Sequence, residues 1–368
     1  MAVQGFTTSH ALVPQQWSEG LEAEVLKKIS WAGLVGKRSD SLVQWKDNLS
    51  NKPGDTDTIG LRMQLDGTPK TSSDAVEGNE QTLTIHDMTF TIDEVVDAVR
   101  FKNVIDRQRV NFDMRDEAKA ALADQLAGAW DTALFNQLAG RIDQTGVLGG
   151  HNSVLDSQAA SPGVHRIARG ASTVMDQSLG TDDTFDMDLI DLALETAKTT
   201  SPAIRPAKIP GFDRPMYVCF IHPYQKSDLM AYSSGAPSTI WGKIQQDYRQ
   251  GGGEQSSNPL ITGACGVYGD VLFVENSRVP YGLSAADSTT VVTNVRRAIF
   301  CGAQSAVMGW GRLGGTPRRF RWTEKQFDYD REYGVAAGFL GGIKQTQFNS
   351  LPFSTICIST YSIASVLS

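Results

Sequence analysis

The sequence predicts an α+β chain, and three observations predict it. Ala118, Leu122, Leu126, Trp130, Leu134 and Leu138 recur at every fourth position, which is the period of one helix face. Between 54 and 92, runs of alternating apolar residues flank a polar stretch, the pattern of two strands joined by a loop. From about 190 to 310, short helix-like and strand-like segments follow one another, as in a compact mixed unit.

Residues 1 to about 50 read as arm and helix. Trp17, Leu21 and Val25 form one apolar stripe on a short amphipathic helix, preceded by a polar, Pro-containing lead with no core of its own. In the next segment Ile59, Leu61, Met63 and Leu65 alternate with polar neighbours, and Leu83 and Ile85 alternate in the returning run. The apolar positions then move from odd to even numbers at Met88, Phe90 and Ile92, so a bulge near His86-Asp87 or a move to another sheet is expected. The polar tip, roughly Asp66 to Glu80, holds Gly67, Pro69 and Gly78 with the acids Asp74, Glu77 and Glu80. A two-stranded ribbon is marginal alone in water and needs a surface to lie on.

The helix from about Phe112 to Leu138 has Asp113 as its candidate N-cap and Gly140 as its stop, and Asp116 and Glu117 suit the positive end of its dipole. At about 1.5 Å per residue it would be near 40 Å long, which makes it a spine. The stretch 140–183 is rich in Gly, Ser, Ala and Asp with little periodicity. A helix from Asp186 to Lys198, a strand from Met216 to Ile221, a helix opened by Pro223, a helix from Ile240 to Arg249, and core strands at Val271–Val274 and Thr290–Val295 follow. Between Arg318 and Asp330 a hairpin with its turn at Thr323-Glu324-Lys325-Gln326 would pair Trp322 with Phe327, Phe320 with Tyr329, Arg321 with Asp328 and Arg319 with Asp330.

Composition limits the function classes. The 368 residues suffice for about two domains, and 40% hydrophobic with 20% charged residues describes a folded chain. No apolar run approaches the roughly 18 to 20 residues of a membrane span, and no basic cluster followed by an apolar stretch marks an export signal, so a soluble chain made in a cytoplasm is expected. The net charge of −7 argues against a sustained phosphate-binding patch. Arg296-Arg297 and Arg318-Arg319 are short basic spots that read as salt-bridge partners. Cys219, Cys265, Cys301 and Cys357 are widely spaced with apolar neighbours, the setting of buried reduced thiols.

No catalytic set converges. A phosphate-binding loop ending at Gly36-Lys37 would need glycine where Trp31 stands and Ser or Thr where Arg38 stands. His10, His86, His151, His165 and His222 are scattered, and no Gly-x-Ser-x-Gly elbow occurs. The acids Asp182, Asp183, Asp186, Asp188 and Asp191 lack the glycine and terminal glutamate of a calcium loop and read as a helix cap with a solvated face. The acids of Asp328-Tyr329-Asp330-Arg331-Glu332 are taken up by the expected hairpin pairs. No cofactor, metal site or enzymatic activity is expected.

What remains is an order of parts: arm, projecting hairpin, spine helix, α/β unit, returning strands. Within it lie Val76-Glu77-Gly78-Asn79-Glu80, Asp106-Arg107-Gln108-Arg109-Val110-Asn111-Phe112-Asp113-Met114-Arg115, Ile221-His222-Pro223-Tyr224-Gln225, Asn258-Pro259-Leu260-Ile261-Thr262-Gly263 and Gly302-Ala303-Gln304-Ser305. In this order and wording the chain resembles the major capsid proteins of tailed bacteriophages, in particular the subfamily of short-tailed phages and relatives, from about residue 30 to 365.

The resemblance implies an N-terminal arm at 1–53, an E-loop hairpin at 54–92, a P-domain at 93–185 with its spine helix, an A-domain at 186–310, and returning P-domain strands with the C-terminal segment at 311–368. It implies hexamers and pentamers closing an icosahedral shell around double-stranded DNA, with inter-subunit candidates Trp17, Leu21, Arg62, Lys70, Glu77, Glu80, Arg319 and Asp330. The implied partners are further copies of the chain, a separate scaffolding protein, a portal protein at one vertex, a decoration protein, and packaged double-stranded DNA touched without sequence preference, with no membrane. The implied location is the virion, after assembly in the host cytoplasm. Some capsids of this fold cross-link an E-loop lysine to a neighbour's asparagine; Lys70 and Asn349 would be the pair here, although an exposed turn lysine ordinarily serves solubility. An encapsulin-like compartment is the alternative, told apart by an enclosed enzyme in place of DNA. A soluble enzyme is the third reading, told apart by a deep polar pocket with perturbed titrating groups.

Overall fold

The structure is a computed structural model, described here for residues 21, 24–25, 28–46, 54–62, 68–71, 76–82, 85–102, 109, 113–139, 166–168, 176–200, 203–210, 214–231, 264–284, 291–311, 320–329, 331–348 and 351–364. Strands β1 (Val35–Gly36) and β2 (Val43–Lys46) precede a hairpin of β3 (Thr56–Arg62) and β4 (Ile85–Thr91). Then come β5 (Asp93–Phe101), the helix α1 (Met114–Ala139) and β6 (Arg166–Ala168). The middle of the chain holds α2 (Met187–Thr199), β7 (Tyr217–Ile221), α3 (Pro223–Ala231), β8 (Ala264–Tyr268), β9 (Val271–Glu275) and β10 (Tyr281–Leu283). The last part holds β11 (Val291–Cys301), β12 (Ala306–Trp310), β13 (Phe320–Phe327), β14 (Glu332–Gln345), β15 (Gln347–Phe348), β16 (Leu351–Pro352) and β17 (Thr355–Tyr361).

Two sheets share one helix. The first is ordered β1-β2-β12-β14-β13, with β5 also on β14; the second is ordered β6-β17-β11-β7-β9-β8, with β10 also on β11. Asp113 caps α1, its Oδ1 accepting from Arg115 N–H at 2.9 Å, as the sequence predicts. Every member of the four-residue row, Ala118 through Leu138, is buried. The outward face of the helix disappears beyond Trp130, and all residues from Ala133 to Ala139 are buried, because that half lies between the sheets. Toward the first sheet Trp130 stacks on Phe339 and meets Trp310 edge-on, and toward the second Phe135 meets Phe220.

The central strand of the second sheet is read directly from its sequence. Tyr217-Val218-Cys219-Phe220-Ile221 is apolar throughout because both faces are covered. Tyr217, Cys219 and Ile221 face Phe185, Ile190 and Ala193 of the α2 layer, while Val218 and Phe220 join the α1 core. Asp186 caps α2 by accepting from Leu189 N–H at 3.1 Å. Strand β11 begins where expected, but its buried part runs from Val295 to Cys301, beyond the segment the sequence marked. Cys219, Cys301 and Cys357 are buried thiols outside any disulfide, and burial pushes the Cys301 thiol up to about 12.

Two local readings are corrected. No bulge interrupts β4: it pairs with β3 in unbroken register from Ile85 to Thr91. In that register odd-numbered residues of β3 oppose even-numbered residues of β4, so Ile59 and Met88 share the buried face and the change of parity is the pairing itself. The move to another sheet occurs later, past Ile92, where β5 joins β14. Ile85 is on the opposite face and 61% exposed.

The second correction concerns the C-terminal hairpin. It exists, but Thr323–Gln326 lies inside β13, which pairs with β14 from Phe320↔Phe339 to Phe327↔Glu332. Phe320 and Trp322 face the core, and Glu324, next on that face, meets Arg115 of α1 and accepts from Trp322 Nε1 at 2.7 Å. That third inward partner carries the strand past the expected turn. Arg321 donates to Thr323 Oγ1 and stands opposite Gly338, while Asp328 pairs with Arg331. The expected helix at 240–249 lies outside the described residues, as do Arg319, Asp330, Asn349 and the stretch 140–165.

Candidate functional site

The candidate surface is the β3–β4 hairpin with the parts that hold it. Its root is fastened to the first sheet: Ile59, Met88, Phe90 and Ile92 pack with Val307 and Leu340. Phe90 lies over Gly309, where a Cβ would come within 2.3 Å of the ring, so only glycine lets the hairpin sit this close. Lys344 Nζ donates to Thr89 O at 2.7 Å, and desolvation lowers its ammonium pKa.

Away from the root the hairpin is open. Of the tip, 68–71 and 76–82 are described and are exposed throughout. Asn79 N–H donates to Val76 O at 3.0 Å and Gly78 has φ +84, which is the geometry of a type II turn with glycine at its third position. Gly78 N–H also donates to Glu80 Oε2 at 2.9 Å. Val76 and Ile85 are each 61% exposed, so an ordered turn and a strand end carry apolar side chains into solvent.

Three further sequence landmarks hold the halves of the molecule together. In Gly302-Ala303-Gln304-Ser305 the chain crosses from β11 to β12, and its successive N–H groups donate to Ser354 O, Arg205 O, Ser41 O and Leu42 O. Gln304 sits at φ 59, and a Cβ on Gly302 would lie 2.5 Å from Arg205 O. In His222-Pro223-Tyr224-Gln225, the buried Gln225 accepts from His222 N–H and donates to Thr360 Oγ1 at 2.8 Å, tying α3 to β17. Burial and the neighbouring Arg296 lower the His222 pKa to about 4, against a smaller opposing pull from Glu275. Arg115 closes the third landmark by its bond to Glu324.

Polar clamps that no motif announced join the spine to both flanks. Asp131 accepts from Ser30 N–H at 3.2 Å and from Arg278 Nη1 at 3.0 Å, so one buried carboxylate holds the arm's root and the β9–β10 turn. Desolvation raises its pKa against these bonds. Arg297, wholly buried, pairs with Asp176 at 2.7 Å and donates to Ala139 O at 3.0 Å, filling a carbonyl at the helix C-terminus. The salt-bridge reading of Arg297 thus holds; Arg296 lies over the Tyr281 ring at 3.4 Å and donates to Val279 O. A charged residue beside Trp130 in an apolar row was the available signal for Asp131; its partners are distant in sequence and could not be read.

Of the expected inter-subunit residues, Lys70, Glu77 and Glu80 are exposed on the hairpin tip, and Arg62 ends β3 opposite Ile85. Leu21 is buried in the chain's own core beside Val25 and Ile29, so it anchors the arm's root rather than offering a free surface. Trp17, Arg319 and Asp330 lie outside the described residues. Among the described residues no group of three or more His, Cys, Asp or Glu gathers as a metal site, and no helix is long and apolar enough to cross a membrane.

This arrangement, a helix between two sheets with a hairpin projecting from one of them, has close counterparts. A family model described as "Phage capsid protein" matches residues 6–364. The chain belongs to that family. It is 26% identical over 340 residues to the major capsid protein of Pseudomonas phage KPP25, covering 86% of this chain and 85% of the relative. Its structure superposes on the capsid of Ralstonia phage GP4 with a TM-score of 0.70 and 26% identity, covering 91% of each chain. It also superposes on the capsid asymmetric unit of cyanophage Pam1 with a TM-score of 0.70 at 17% identity, a likeness of fold, covering 92% of this chain and 93% of that one. The chain is therefore a phage major capsid protein, a shell subunit that associates with its own kind in the virion. The resemblance read from the five motifs, the α+β fold and the phage shell in preference to the compartment are all supported.

Proposed function

We propose that the chain assembles as hexamers and pentamers into an icosahedral shell around double-stranded DNA, as a purely structural subunit without enzymatic activity. The observation that carries the reading is the hairpin: its root is riveted to its own sheet, while Val76 and Ile85 are presented bare. The hairpin, as the E-loop at 54–92, lies across the P-domain of a neighbouring copy. The arm at 1–53 reaches adjacent copies, and the A-domain at 186–310 meets its mates around each capsomer axis. Arg62, Lys70, Glu77 and Glu80 make contacts from the hairpin, Trp17 from the arm, and Arg319 and Asp330 from the C-terminal hairpin; Leu21 fixes the arm's base. Many weak repeated contacts stabilise a closed shell while letting misplaced copies leave during growth.

A separate scaffolding protein guides assembly in the host cytoplasm, a portal protein occupies one vertex, and an outer decoration protein is a further partner. DNA is touched without sequence preference, and the net charge of −7 keeps that contact loose. Electron microscopy of the purified chain, alone and co-expressed with its neighbouring phage genes, is the test. Capsomer rings or closed polyhedra are expected, and a dispersed monomer under every condition would overturn the reading. Nuclease-protected DNA inside purified particles is the expected content, and a protein cargo without DNA would instead mark a compartment.

A further inference from the structure

We propose that the chain carries a binding site for a small aromatic carboxylate at the root of the arm, in a cavity walled by tryptophan with a lysine at its rim. The cavity measures about 280 Å³. Its floor is one face of the first sheet. The registers set Met308 of β12 opposite Trp45 of β2 and Val35 of β1 opposite Val43 of β2. Residues two apart on a strand share a face, so Val35, Trp45, Met308 and Trp310 stand side by side along the cavity. Trp130 of α1 and Trp31 of the arm's root close it from the other sides. Trp31, Trp130 and Trp310 are at most 2% exposed, whereas Ala32, Val35 and Trp45 are half-buried and form the mouth.

The walls point to a ligand and to its shape. Protein interiors hold few voids larger than a water molecule, and a dry apolar cavity of about 150 Å³ already takes up benzene. This one is nearly twice that size, which suits two fused rings. It is held open, because Trp130 is stacked on Phe339 at 4.9 Å and meets Trp310 edge-on at 5.0 Å. Fixed indole walls favour a flat aromatic guest, through stacking and edge contacts that a flexible acyl chain does not make. The indole N–H groups of Trp31 and Trp130 are buried and meet no acceptor among the described residues, so the wall holds donors that packing alone leaves unused.

The charge of the ligand follows from the rim. Lys37 comes two residues after Val35, and its ammonium lies 5.1 Å from the centre of the Trp45 ring. A guest that places its rings in the cavity and its carboxylate at the mouth meets this cation while its charge stays in water, so only the apolar body is buried. The bound guest touches the arm's root, the spine and the first sheet together. A ligand that binds only this folded arrangement stabilises it by mass action. The site lies within one subunit, so the proposal does not rest on the shell reading.

The test titrates the full-length chain with 2-naphthoate, with uncharged 2-naphthol and with octanoate, read by ligand-observed nuclear magnetic resonance and by thermal unfolding. Saturable binding of 2-naphthoate with a Kd below about 1 mM is expected, together with a Tm that rises with its concentration. Ala32→Phe, which fills the mouth, should abolish both effects. Lys37→Gln should weaken 2-naphthoate about three- to fivefold and leave 2-naphthol unchanged, as for the loss of one exposed charge pair. Lys37 is exposed, so this variant reports on the site even where Ala32→Phe disturbs the fold. No saturable binding of 2-naphthoate would overturn the proposal. So would binding untouched by both variants, which would place the ligand elsewhere on the chain, or octanoate bound as tightly as 2-naphthoate, which would make the cavity an acyl site. Assembly is read separately: a chain that binds 2-naphthoate but never assembles would sink the shell reading alone, and one that assembles but never binds would sink this one alone.

Discussion

Buried charges in this chain act as joints. Arg297 and Asp176 are enclosed together and the guanidinium also reaches the last carbonyl of α1, so removing the guanidinium takes the opposite charge from a carboxylate in a dry interior that also accepts from Leu283 N–H at 3.0 Å. Arg297→Met is expected to destabilise the subunit by about 3–5 kcal/mol in denaturant unfolding. A loss below about 1 kcal/mol would mean that the other hydrogen bonds of Asp176 suffice to hold its charge. His222 gives a pH dependence of known sign. Its folded pKa of about 4 lies below the ordinary 6.5, so between these values the unfolded chain takes up a proton that the folded chain refuses. This contribution is complete above pH ~6.5 and is lost as pH falls toward ~4, a change of about 1–3 kcal/mol after allowance for screening. His222→Gln should flatten the stability profile over that window, and an unchanged slope in the variant would assign the loss to other groups.

Elements were legible in proportion to how local their causes are. The spine helix was read almost to the residue, because its period and its cap at Asp113 lie in consecutive sequence. The E-loop strands were legible from alternation, but their register was not, since only pairing shows that Ile59 and Met88 share a face. The C-terminal hairpin was expected five residues early because local pairs favoured it, and Glu324's bond to a helix far away in sequence overruled them. The close fit of Phe90 on Gly309 decides how firmly the E-loop is rooted. Gly309→Ala is expected to cost about 1–3 kcal/mol of overpacking and to speed proteolysis between β3 and β4. Unchanged cleavage kinetics would show that the root adjusts freely.

For the whole molecule, assembly and folding should separate cleanly at the exposed apolar residues. Ile85→Asp is expected to leave Tm within about 2 °C of wild type, since the side chain is largely in water, and to reduce shell yield strongly in sedimentation. A variant that assembles normally would remove Ile85 from the interface. Denaturing gels of mature particles should show a single band at the monomer mass, and a ladder of multiples would reveal a covalent link through Lys70. The sequence by itself determined the fold class, the spine and the family, because these rest on periodicity and on short motifs written in consecutive residues. Only the tertiary structure decided that α1 is enclosed by two sheets and that Asp131 and Arg297 join them. Those facts depend on residues more than a hundred positions apart meeting through packing and burial, and no local pattern encodes that meeting.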